Sequence, residues 1–256
     1  MSITLLGTCR IDSIPGHNNL NNLINYPHST KEVIQMLEFI SGKKDLKSPY
    51  NLLCLRAAII ETVYPGSISR ETGLPENVIF ERFELTESNG KKHILQQTSI
   101  VEKFNQTEVF VIEISSVKNY THNGHYLHHL CVDERFPDYK SITPVEILDE
   151  HTVNKQSEAE IEKDILKIVE MLSPKKILIV SHFNYKNGTE FIPSRNDLVR
   201  TLERICERNG IAFANPAELL SEHDQNLTMG SDSEHYTPLG KVLIGEKLSQ
   251  MIDKLA

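Results

Sequence analysis

The chain of 256 residues, 39% hydrophobic and 24% charged with 12 glycines and 11 prolines, is long enough to bury a large core and excludes collagenous, coiled-coil and disordered classes. Its 27 basic and 35 acidic side chains leave a formal charge of -8, so the average surface repels phosphate backbones and anionic headgroups, and neither nucleic acid nor a membrane is an expected partner. Apolar runs such as 109–112 and 177–180 fall far short of a bilayer span, and residues 1–6 are too short for a secretory core, so a soluble, cytoplasmic protein is expected. Cys9, Cys54, Cys131 and Cys206 are widely spaced with no CxxC pair. They read as free thiols, three of them as small core hydrophobes.

In chain order, the apolar run 3–6 ends at Gly7 and reads as a buried strand entering the tight turn Gly7-Thr8-Cys9-Arg10. Residues 14–19 break any helix, and the chain is expected to cross the surface without regular structure there. Ser29 and Glu32 form a capping box for a helix through Val33, Met36, Leu37 and Ile40, stopped at Gly42. A second helix is expected over 52–63, closed by Pro65-Gly66, and a single strand over 78–85. The β-branched run 109–114 reads as a central strand followed by Ser115-Ser116. Ser157 and Glu160 cap a long helix that Pro174 ends. A buried strand follows at 177–180, a helix starts at Ser194 and stops at Asn209-Gly210, a short strand spans 211–214, and residues 238–255 carry a final helical pattern.

Strands alternating with amphipathic helices predict a single three-layer α/β/α domain over 1–256 with a mostly parallel, flavodoxin-like central sheet. Residues 85–108 read as an insertion and 117–132 as a hairpin flap around Asn123-Gly124. Ligands of such sheets bind beyond the carboxyl ends of the strands, which draws attention to Thr8-Cys9, Ser115-Ser116, Ser181-His182-Phe183-Asn184 and Asp232-Ser233-Glu234-His235. Together these supply a thiol nucleophile, imidazole bases, an orienting carboxylate and oxyanion donors, the part types of acyl transfer.

A strand-Gly-x-nucleophile turn near the amino end, an Asn after a later strand and Asp-x-x-His before the last helix together resemble the SGNH/GDSL hydrolase superfamily, and the order spans the whole chain. The Gly-Thr-Cys turn is closest to the Gly-Ser-Cys of the GSCFA-domain branch and to the Gly-Asn-Cys of a capsular-polysaccharide acetyltransferase group. The resemblance implies Cys9 as nucleophile, His235 as base and Asp232 as its orienting carboxylate, with Asn184 and backbone N–H groups of Cys9 and near Ser116 forming the oxyanion hole. His182 competes with His235 for the base role, and the second-block glycine of the superfamily has no counterpart. Most members of the superfamily place a helix directly after the nucleophile, whereas Pro15-Gly16 here leaves room for barely one turn.

The implied activity is acyl transfer on an acylated, carbohydrate-type substrate, as an esterase or an O-acyltransferase. No cofactor is required, and acyl-CoA is an optional co-substrate. A non-catalytic carbohydrate- or protein-binding module on the same fold is the alternative. A third option, a metal-dependent hydrolase, draws on His122, His125, His128, His129 and Cys131. A solvated flap with no metal is the preferred reading of that hairpin, because convergence of three or four ligands is not assured by the spacing. Arg10, Arg56 and His28 are read either as contacts to an anionic substrate group or as partners of surface carboxylates.

Overall fold

The computed structural model describes residues 1–8, 10–15, 18–19, 27–41, 78–81, 84–87, 92–93, 104–129, 132–135, 137, 145–187, 190–232 and 234–255. The expected helix over 52–63, the Gly42 stop, and Cys9, Cys54, Arg56 and Cys131 lie outside these residues.

The strands are β1 (Ile3–Leu6), β2 (Asn18–Asn19), β3 (Val78–Glu81), β4 (Glu84–Glu87), β5 (Lys92–His93), β6 (Val109–Ile114), β7 (Lys118–His122), β8 (His125–Leu127), β9 (Thr152–Lys155), β10 (Lys176–Ser181), β11 (Lys186–Asn187), β12 (Glu190–Phe191) and β13 (Ala212–Ala214). The helices are α1 (Thr30–Ile40), α2 (Val145–Glu150), α3 (Glu158–Leu172), α4 (Pro193–Arg208), α5 (Pro216–Leu219), α6 (Gln225–Thr228) and α7 (Pro238–Asp253). Five strands form a parallel sheet in the order β13-β10-β6-β1-β2. Counted along the chain this is the 2-1-3-4-5 order of doubly wound sheets, whose direction reverses between β1 and β6, the switch point where such folds bind ligands.

The period-2 alternation of the strands divides the core in two. Leu6, Phe110, Ile112, Ile114 and Ile179 face α1, α3 and α4, meeting Val33, Leu37, Ile165, Ile168 and Leu202. Leu5, Val109, Val111, Leu178 and Val180 face the opposite way, onto Ile244, Leu248 and Ile252 of α7. That gives the expected three layers. Cys206 sits fully buried in the first of these cores, and burial pushes its thiol up to about 12, so it behaves as a hydrophobe.

The capping box of α3 closes fully, and that of α1 closes on one side only. Ser157 Oγ accepts from Glu160 N–H while the Glu160 carboxylate accepts from Ser157 N–H. At α1, Ser29 Oγ accepts from Glu32 N–H at 3.3 Å, and the Glu32 carboxylate reaches past the cap to accept from His28 N–H at 3.1 Å. Docking of α1 on α3 is fixed by the buried Asp164, which accepts from Thr30 Oγ1, Gln156 Nε2 and Lys31 Nζ. No helix among the described residues is long and apolar enough to cross a membrane.

Three expectations are corrected and one is extended. Residues 78–85 are not one strand: β3 and β4 pair antiparallel in a three-stranded sheet with β5. The 14–19 stretch contributes Asn18 and Asn19 as an edge strand beside Thr4 and Leu5. Helix α4 starts at Pro193, which sits in the first turn behind Ile192, so Ser194 is inside the helix and caps nothing. The exposed β9 pairs with β7, making the 118–127 hairpin the core of a second three-stranded sheet. Its Asn123 and Gly124 have φ of 47° and 76°, the left-handed pair that a two-residue hairpin turn requires.

Candidate active site

The switch point is built around Glu113, the only carboxylate in the apolar run Val-Phe-Val-Ile-Glu-Ile of β6 and 1% exposed. Its Oε2 accepts from both the N–H and the hydroxyl of Thr8, and its Oε1 accepts from Arg10 Nε at 2.7 Å. The turn that flanks position 9 is therefore clamped on both sides to the central strand. Burial alone would push the Glu113 carboxyl up, but the Arg10 guanidinium and the Thr8 hydrogen bonds outweigh it and hold the carboxyl below its usual range. Gly7 is forced by the same clamp: at φ 156° a Cβ on it would stand 2.6 Å from Glu113 Cβ. Beyond Arg10 the chain makes turns, Ile11 N–H to Thr8 O and Ile14 N–H to Ile11 O, and no helix.

Arg10 also reaches across the molecule. Its Nη1 donates to Glu234 O at 3.3 Å, tying the turn to the loop that carries Asp232 and His235 although 224 residues separate them. That loop is closed at its neck by the Met229–Tyr236 bridge and by Gly230 N–H donating to His235 O at 2.7 Å. Tyr236 is buried edge-on against Phe183, which anchors the loop to the end of β10. After it, Thr237 caps α7 by accepting from Gly240 N–H, with Pro238 in the first turn.

Within the loop, Asp232 Oδ1 accepts from the N–H groups of Glu234 and His235, and Oδ2 lies 2.7 Å from His235 Nδ1. The Glu234 and His235 hydrogen bonds hold the Asp232 carboxyl down at about 2. An ionised acceptor at Nδ1 selects the tautomer with the proton on Nδ1 and the lone pair on Nε2, the form of a general base.

His182 is set up differently. It is 8% exposed, its Nδ1 lies 2.7 Å from Phe183 O, and burial together with the Arg10 charge pushes it down to about 3. Asn184 is 3% exposed; its Nδ2 donates to Asn196 Oδ1 at 3.0 Å, and its Oδ1 has no hydrogen-bond partner among the described residues. A cavity of about 360 Å³ opens beside it, walled by Phe183, Asn196, Arg200, Asn215, Gln225 and Thr228. Asp232 and His235 do not line this cavity, which lies on the α4 side of the Asp232 loop.

Ser116 does not fit the role expected of it. Its N–H and that of Ser115 both donate to His28 O at 2.8 Å, and its hydroxyl is engaged with Lys118, so neither backbone donor is left for an oxyanion. Arg10, read as a substrate contact or a surface partner, is instead 11% exposed and committed to Glu113. Sequence reasoning missed Glu113; the only signal was a carboxylate in an otherwise apolar strand, which demands a buried cation. It also missed Arg195, whose half-buried guanidinium lies 3.8 Å from the Glu234 carboxylate and brings a second cation to the Asp232 loop.

The sequence matches the TviD N-terminal domain family at residues 1–144 and again at 142–251. A curated relative, the Vi polysaccharide biosynthesis protein TviD of Salmonella typhi, is 24% identical over 263 residues, covering 93% of this chain and 30% of the relative, so the chain spans less than a third of that protein. Similar solved structures include LAE5, an alpha/beta hydrolase enzyme from the metagenome of Lake Arreo, Spain, at 10% identity and a TM-score of 0.42, covering 100% of this chain and 96% of that one. A catalytic mutant of Axe2, an acetylxylan esterase from Geobacillus stearothermophilus, is 11% identical with a TM-score of 0.41, covering 98% and 93%.

Proposed function

The chain belongs to the TviD N-terminal domain family, and from that premise we propose that it is an acyl-transfer enzyme acting on a carbohydrate hydroxyl, with Cys9 as nucleophile, His235 as base and Asp232 as the carboxylate that orients it. The observation that carries the reading is the Asp232–His235 pair, tied by Arg10 to the turn in which Cys9 stands between two residues anchored on Glu113. The SGNH-like order of these parts along the chain and the polysaccharide role in the relative's name support it.

In the proposed cycle His235 Nε2 takes the Cys9 thiol proton, and the thiolate attacks the donor carbonyl carbon. The tetrahedral oxyanion collapses, the donor's oxygen or sulfur leaves with the proton returned by His235, and an acyl-thioester remains on Cys9. His235 then deprotonates the acceptor, whose oxygen attacks the thioester and restores the thiol. Water as acceptor makes an esterase, and a sugar hydroxyl makes an O-acyltransferase; an acyl-CoA is one donor that fits without any further cofactor.

Asn184 is the proposed oxyanion donor. Reversing the Asn184–Asn196 amide pair keeps the hydrogen bond between them, with Asn196 as the donor. It turns the Asn184 NH2 toward the spot where Oδ1 now stands, a donor awaiting an acceptor. The test is turnover of aryl esters and acetyl-CoA by the wild type and by Cys9→Ala. The proposal expects release of p-nitrophenol or CoA by the wild type alone; equal rates from both proteins would remove Cys9 from the chemistry.

A further inference from the structure

The histidines of the hairpin do not group as their spacing suggests. His122 and His125 face each other across the turn in register, whereas His128 and His129, just after β8, turn inward to meet His28, a residue a hundred positions earlier. The ring centroids are 4.8 Å apart for His28–His128, 4.5 Å for His28–His129 and 4.5 Å for His128–His129. One ligand atom from each of the three rings lies within 4.8 Å of the other two. His28 is fixed from two sides: its carbonyl takes the N–H groups of Ser115 and Ser116 at the end of β6, and its own N–H is held by Glu32. The cluster therefore sits at the sheet's switch point.

We infer that His28, His128 and His129 form a binding site for one divalent transition-metal ion of the zinc class, held by three imidazole nitrogens with a fourth position open to water or a substrate oxygen. Three imidazoles on a tetrahedral ion with bonds of 2.0–2.1 Å stand about 3.3 Å apart, so closing the site from its present spread takes rotation of the rings by about an ångström. Packing alone is a poor account of three polar rings gathered at one place, because apolar side chains fill the same volume without desolvating nitrogens. His28 Nδ1 is buried with no hydrogen-bond partner among the described residues, and the Glu32 carboxylate stands 3.7 Å from it, the type of outer partner that orients a ligating ring. Three imidazole nitrogens without thiolate favour zinc, cobalt(II) or nickel over calcium or magnesium.

The experiment uses the full chain stripped with a chelator and titrated with Co²⁺ and with Zn²⁺, each alone. Expected are the visible d–d bands of a four- or five-coordinate Co²⁺ saturating at one equivalent, and loss of at least a hundredfold in affinity in His28→Ala and in His129→Ala but not in His223→Ala, whose ring is exposed elsewhere. X-ray absorption on the zinc-loaded wild type reads the same site without any variant: a first shell of nitrogen and oxygen with imidazole scattering is expected. A shell containing sulfur, binding that survives in His28→Ala, or no equivalent bound at micromolar metal would each overturn the site.

Discussion

Replacing Glu113 by Gln keeps the shape and the acceptor for Thr8 but removes the charge that answers Arg10. At 2.7 Å and an effective dielectric of 20 the gross attraction in this pair is about 6 kcal/mol, and desolvation of the two buried groups offsets much of it. Breaking it from one side still costs on the order of 3 kcal/mol, because the mostly buried Arg10 loses the carboxylate that answers its charge. For a chain of this size that corresponds to a drop in Tm of about 6–12 °C. The same substitution frees the turn at residues 8–10, so kcat should fall by roughly tenfold or more, since small misplacements of a nucleophile are expensive. The assay is thermal and urea unfolding of E113Q, R10M, E113L, and the double variant Arg10→Met with Glu113→Leu, with turnover of an aryl ester alongside. The double variant should recover most of the lost stability, as apolar replacements of buried pairs do, but none of the activity. An E113Q protein that melts within about 2 °C of the wild type, or a double cycle with no coupling, would refute the clamp.

Other consequences follow from the same geometry. Asp232→Asn should lower kcat by on the order of 10³- to 10⁴-fold with little change in KM, since the ring loses the carboxylate that fixes its tautomer. The Asp232 carboxyl is held at about 2 against an ordinary 3.8; a folded value below the unfolded one means its stabilisation is complete above that ordinary value and is lost as pH falls through about 2. The stability gap between wild type and Asp232→Asn, measured by urea melts, should accordingly close between about pH 4 and pH 2 and stay constant above that range. His235→Ala should abolish turnover, whereas His182→Ala, which removes a buried ring bonded to its own neighbour's carbonyl, should lower Tm and leave kcat within about tenfold. Gly245→Ala, a change that normally stabilises a helix by about 1 kcal/mol, should destabilise this one, because the new Cβ would stand 2.3 Å from Ser13 O in the segment that follows Arg10.

What could be read in advance was whatever burial writes into the sequence locally. β1, β6 and β10 are buried on both faces over most of their length and appear as mainly apolar runs, and Ser157 with Glu160 announces the start of α3 three residues apart. Asn18 and Asn19 make a two-residue polar strand at the sheet's edge, and β9 is exposed along its length, so neither leaves an apolar pattern to find. The Asp232–His235 pair was legible because it is local, three residues on one loop. Glu113 with Arg10, and His28 with His128 and His129, are contacts across a hundred or more residues, and a single sequence names such residues without naming their partners. Ser116 failed for the related reason that position after a strand says where a backbone N–H stands but not which carbonyl already holds it.

The most direct measurement is mass spectrometry of the intact protein, and of its peptides, quenched in acid within seconds of mixing with an activated acetyl ester or acetyl-CoA. The account predicts one acetyl group, on the peptide containing Cys9, labile to hydroxylamine and absent in His235→Ala. Acetyl found on another residue, or steady turnover with Cys9 never acylated, would contradict it.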